Sequence, residues 1–133
     1  MARDVIALDT HALLWWALDP ARLSAEAQRA VGRMERDGGI ASAISIWEIG
    51  IKVKRGKLEI PIVVDELARR IERGGVVDLL PVDTSTWLRS LSLEWEHTDP
   101  ADRVIVATAL MRGVPLLTKD ATIHAFGGVT CVW

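Results

Sequence analysis

Short apolar runs and helical stripes alternate from one end of the chain to the other. Val5 to Leu8 is apolar at every position, the pattern of a strand buried on both faces, and it ends at Asp9-Thr10. Leu13, Leu14, Trp16 and Ala17 follow at helical spacing until Asp19-Pro20 breaks it. Ser24 is a good N-cap for a helix to about Asp37, which Gly38-Gly39 stops. Ile40 to Ile44 reads as a second strand, and Ser45 as the opening of a helix that reaches Arg55 and ends at Gly56. A helix from Val63 to Arg73, a strand from Val76 to Val82 and a helix capped by Asp83 or Thr84 come next. Asp99-Pro100 starts a helix that runs to Arg112 and stops at Gly113. Val114 to Thr118 is strand-like, Ala121 to Phe126 a short helix, and Val129 to Val132 a last strand. Doubly apolar strands between helices predict an α/β fold, a parallel central sheet flanked by helices on both faces. With no repeat, linker or low-complexity stretch, residues 1–133 are expected to form one domain.

Composition narrows the function classes. A net charge of −2 and a pI near 5.9 give no general electrostatic grip on nucleic acid, so any phosphate contact must come from a local basic patch or from bound cations. No apolar run approaches the roughly 20 residues of a membrane span, and the N-terminus has no signal-peptide pattern. Cys131 is alone and forms no internal disulfide; a reducing cytoplasm is the expected setting.

Candidate chemistry lies in the acidic residues. Asp9 and Asp120 each follow a predicted strand, the end where ligands bind in open α/β sheets, although aspartates there also serve as turn or cap residues. Glu48 fits a capping box begun by Ser45, and it also shares a helix face with Lys52 and Arg55, with Lys54 and Lys57 close by. Asp102 stands at the head of the apolar stripe of Ile105, Val106 and Ala109 and so points toward the sheet; Asp99 is the expected cap. If Asp9, Glu48, Asp102 and Asp120 converge, their repulsion calls for a cation, and hard oxygen donors suit Mg²⁺ or Mn²⁺. His11, His97 and His124 lack zinc-motif spacing and are expected to be surface or hydrogen-bonding residues. Trp15, Trp16, Trp47 and Trp87 lie in apolar helical patterns, which favours packing in the core or an interface over base stacking.

These segments together resemble the PIN-domain ribonucleases, specifically the VapC-like toxins of bacterial toxin–antitoxin pairs. The matching pieces are Leu8-Asp9-Thr10-His11 with Leu13-Leu14-Trp15, Ser45-Ile46-Trp47-Glu48-Ile49, Gly56-Lys57-Leu58, His97-Thr98-Asp99-Pro100-Ala101-Asp102-Arg103 and Leu117-Thr118-Lys119-Asp120, in the right order over essentially the whole chain. The resemblance implies an acidic pocket of Asp9, Glu48, Asp102 and Asp120, with Asp99 as an accessory ligand and Thr10 and Thr118 beside it. It further implies Mg²⁺-dependent hydrolysis of RNA phosphodiesters, a VapB-like antitoxin partner and a homodimer. Lys52, Arg55, Arg103 and Lys119 are the candidate phosphate contacts. Ala101 stands where close relatives often carry an aromatic residue, and Leu93-Glu94-Trp95-Glu96 replaces a proline-containing approach; neither removes a carboxylate. Rival readings are a PIN-fold nuclease of RNA processing without an antitoxin, and a receiver-like module that binds Mg²⁺ without hydrolysis.

Overall fold

The structure is a computed structural model that describes residues 4–133. Its strands are β1 (Ile6–Leu8), β2 (Gly39–Ser42), β3 (Val77–Leu80), β4 (Leu116–Leu117) and β5 (Cys131–Val132). All the pairings among them are parallel, in the order β3-β2-β1-β4-β5. Its helices are α1 (Thr10–Leu18), α2 (Ala25–Asp37), α3 (Ile44–Lys54), α4 (Val64–Gly74), α5 (Thr84–Ser92), α6 (Pro100–Arg112) and α7 (Ala121–Phe126), with a 3₁₀ turn at Pro20–Arg22. The expected parallel sheet between helical layers is therefore present.

The alternation of side chains along each strand makes two cores. Ile6, Leu8, Ala41, Val77 and Leu117 face Leu13, Met34, Ile49, Leu67 and Ile71 on one side of the sheet. Ala7, Ile40 and Leu116 face Val104, Ile105, Ile123 and Val129 on the other. Helix α6 is buried at every position from Val104 to Ala109, which is why its pattern is apolar almost all round.

The helix boundaries follow from local chemistry. Ser24 Oγ accepts from Ala27 N at 3.0 Å and starts α2; Gly38, at φ +96°, closes it. Gly39 belongs to β2 rather than to the helix stop. A Cβ there would lie 2.6 Å from Met34 Sδ and 3.3 Å from the Ile6 carbonyl oxygen, so only glycine lets β2 pass so close. Helix α3 opens at Ile44, with Ala43 at the cap and Ser42 Oγ accepting from Ile44 N at 3.2 Å. The expected cap at Ser45 is thus displaced. The observed strands are shorter than the apolar runs because an apolar residue continues to be buried where the chain has already left the ladder.

Strand order decides where a ligand can sit. The chain runs outward from β1 to β2 and β3, then returns to place β4 on the other side of β1. The connections therefore diverge between β1 and β4, and a crevice opens beyond the carboxyl ends of those strands.

Candidate active site

Asp9 follows β1 and Thr118 follows β4, and the register Leu8↔Leu117 sets them side by side. Thr118 Oγ1 donates to Asp9 Oδ2 and accepts from Asp120 N at 3.0 Å. Asp9 Oδ1 accepts from Ala12 N at 2.8 Å, so this carboxylate caps α1 and is locked on both oxygens. Burial pushes its pKa up, against the lowering by the Thr118 and Ala12 hydrogen bonds and the His11 charge, while Asp120 raises it further. Asp120 caps α7 through Thr122 N at 2.8 Å, and Asp99 caps α6 through Ala101 N at 2.8 Å and Asp102 N at 3.2 Å. Three of the acidic candidates are thus caps as well as cleft residues. The two readings of each do not compete, because a capping carboxylate retains lone pairs for a second partner.

A cleft of about 150 Å³ is lined by Asp9, Thr10, His11, Glu48, Lys52, Asp99, Asp102 and Asp120. All four main carboxylates of the sequence analysis meet there, with the accessory Asp99. Glu48 is freed from the capping-box role because Ser45 is buried and its Oγ accepts from Thr10 Oγ1 at 3.0 Å. That bond pins the start of α1 to the start of α3, which brings Glu48 to the same opening as Asp9. Lys52, one turn on from Glu48, lines the cleft too; Arg55, at the exposed end of α3, does not.

Asp102 is half-buried, and its pKa is pushed up to about 6. Burial is the main cause, and the charges of Asp99, Asp120 and Glu48 add to it, while a hydrogen bond with His97 opposes them. His97 Nε2 lies 2.7 Å from Asp102 Oδ2. The ligand atoms offered by His97, Asp99 and Asp102 lie within 4.8 Å of one another, close enough to share one metal ion. His97 is the hydrogen-bonding residue expected, but its place in this cluster was not legible from spacing. It lies in a non-helical segment, where no periodicity predicts direction.

Arg103 is placed differently from a phosphate contact. Its guanidinium donates to the carbonyls of Ser90, Leu93, Trp95 and His97 at 3.0, 3.0, 2.6 and 3.0 Å. It ties the irregular segment before α6 to that helix and so holds His97 over Asp102. Trp95 helps, its ring 4.8 Å from those of both His97 and Phe126. Lys119 is exposed beside the cleft, with Nζ 5.8 Å from the centre of the Trp15 ring. Of the tryptophans expected to pack, Trp15 and Trp16 are half-buried against the core, whereas Trp47 and Trp87 are 59% and 43% exposed.

The donor set fits a divalent cation. Several carboxylates close enough to raise one another's pKa are relieved by positive charge, and oxygens with one imidazole suit a hard or borderline ion. Carboxylates gathered over the switch point of a parallel sheet define an α/β protein able to hold a divalent cation at the edge of its strands. The chain belongs to the PIN domain family, which matches residues 6–129. It is 31% identical over 122 residues to Ribonuclease VapC22 of Mycobacterium tuberculosis, covering 90% of each chain. Among solved structures it is similar to VapBC2 from Rickettsia felis bound to a DNA fragment from its promoter, with a TM-score of 0.66 and 11% identity over 96% of each chain. It is also similar to a toxin–antitoxin complex from Klebsiella pneumoniae, with a TM-score of 0.60 and 19% identity over 90% of each chain. At such identities these structures establish the fold. The receiver-like rival is excluded by strand order, since receivers run 2-1-3-4-5 and this sheet runs 3-2-1-4-5.

Proposed function

We infer that this protein is an endoribonuclease dependent on Mg²⁺, or on Mn²⁺ in its place, and the toxin of a toxin–antitoxin pair. The carrying observation is that Asp9, Glu48, Asp102 and Asp120, scattered over more than a hundred positions, line one cleft. The curated relative named a ribonuclease supports RNA as the substrate, and the toxin–antitoxin complexes among the structural neighbours support an antitoxin partner.

The chemistry that a bound divalent ion supplies is activation of a water and neutralisation of charge on the phosphate under attack. Asp9, Glu48 and Asp102 would hold it, with Asp99 accessory, and Asp120 would complete the shell or orient the attacking water. Asp9 is the fixed point of that shell, since Thr118 and Ala12 prevent its rotation. His97 Nε2 steadies Asp102 through their hydrogen bond. Lys52, which lines the cleft with Glu48, would take a phosphate oxygen of the substrate, and Arg55 would meet the backbone further along α3. Thr10 shapes the wall between Asp9 and Glu48. A single domain, residues 1–133, carries this activity, in the reducing cytoplasm that the lone Cys131 suggests. Among the described residues no helix is long and apolar enough to cross a membrane.

The test compares wild type with Asp9→Asn on structured RNA in Mg²⁺ or Mn²⁺. The variant is expected to lose at least about 100-fold in rate, more than a typical outer-shell change; equal cleavage by the two proteins overturns the assignment. For the toxin role, expression without an antitoxin should arrest growth, and normal growth with soluble protein present counts against it.

A further inference from the structure

A second hollow, of about 320 Å³, adjoins the acidic cleft and is lined by Asp9, His11, Trp15, Lys119 and Asp120. It shares Asp9, His11 and Asp120 with the cleft, so the two form one continuous surface, and Trp15 and Lys119 are its own. Its other walls have a different chemistry. The His11 and Trp15 rings lie 5.5 Å apart at an interplanar angle of 51°, and Lys119 Nζ stands 5.8 Å from the Trp15 ring centre. Trp15 is packed against the core, with the Trp133 ring 5.7 Å away and Arg22 Cζ 5.9 Å from its ring centre. His11 and Lys119 are exposed.

These properties suit a flat, uncharged, polarisable group. A strand that places one phosphate among carboxylates must direct the attached base away from them. The neighbouring hollow offers two ring systems and a cation, the combination on which single-stranded nucleic acids stack. A volume above 300 Å³ is in the range of small-ligand pockets. The Trp15 ring is already ordered by its packing, so binding there costs little side-chain entropy.

We propose that this hollow is a nucleobase subsite, where the base of the nucleotide flanking the scissile phosphate stacks on the His11–Trp15 wall while Lys119 contacts an adjoining phosphate or base oxygen. The subsite selects unstacked, single-stranded RNA, because a base inside a duplex cannot present its face. It rests on the ribonuclease reading and extends it to substrate choice.

The test uses oligoribonucleotides with an abasic position moved stepwise through the nucleotides around the cleavage site. With wild type, an abasic residue at one flanking position should raise KM roughly tenfold, the effect of one lost stacking contact. With His11→Ala, at an exposed position, the intact substrate should already show the raised KM and the abasic residue should add little; Lys119→Ala, also exposed, should raise KM for the intact substrate. Trp15→Leu should behave like His11→Ala; because Trp15 supports the core, circular dichroism must show it folded, and the two exposed variants carry the test if it is not. Equal abasic penalties in wild type and in His11→Ala overturn the subsite, as does the absence of a penalty at every flanking position in an actively cleaving enzyme. A folded wild type that cleaves no RNA in any divalent ion overturns the ribonuclease reading itself, and the subsite with it.

Discussion

Asp102 sits where burial and three neighbouring carboxylates discourage its charge, yet its proposed role requires that charge. Its folded pKa of about 6 lies above its ordinary 3.8. In the metal-free protein this group's contribution to stability is therefore full below about pH 4 and is lost as pH rises through 6. Buried Asp9 acts in the same direction. A divalent cation reverses the effect, and protons compete with it below pH 6. Calorimetric titration with Mn²⁺ should show affinity roughly tenfold weaker at pH 5 than at pH 7, the factor by which a pKa near 6 depletes the carboxylate. Affinity unchanged between those pH values would remove Asp102 from the ligand set. Asp9, Asp102 and Asp120 were legible as candidates because strand ends and first helical turns are recognisable in sequence. Glu48 carried an ambiguity that only contact resolved: Ser45, which could have capped its helix, is engaged by Thr10 instead.

At the scale of elements, α6 and the segment ahead of it behave as one unit. Arg103 reaches four carbonyls of residues 90 to 97, and Asp99 caps the helix that Arg103 belongs to. Lysine has donors but no planar fork, so Arg103→Lys cannot reproduce this set. The variant should lose roughly 1–3 kcal/mol of stability through carbonyls left unpaired, read as a lower midpoint in urea unfolding. A phosphate contact would predict the opposite, unchanged stability with a raised KM. The helical and strand periods announced every element of the sheet and its covering helices, from Val5 to Val132. They could not announce the path of residues 93 to 98, which has no repeating pattern and is shaped by one guanidinium and the Trp95 ring. His97 entered the site by that route.

Across the whole molecule, the outer side of α5 exposes Trp87, Leu88 and Leu91 at 43, 62 and 75%. Contiguous apolar surface of this kind marks an association site; a homodimer is an expectation from the family resemblance, and we propose this face as its seam. Leu91→Glu should convert a dimer to a monomer in light scattering while circular dichroism stays unchanged; a wild type that is monomeric at high concentration would refute the assignment. The sequence by itself determined the helices, the doubly buried strands and the positions of the acidic residues, because periodicity and capping act over a few residues. Only the tertiary structure decided that β4 lies against β1, which carboxylates share a cleft, and that Arg103 turns inward. Those outcomes depend on contacts between segments up to about a hundred residues apart, such as Thr118 with Asp9, and no local preference encodes them.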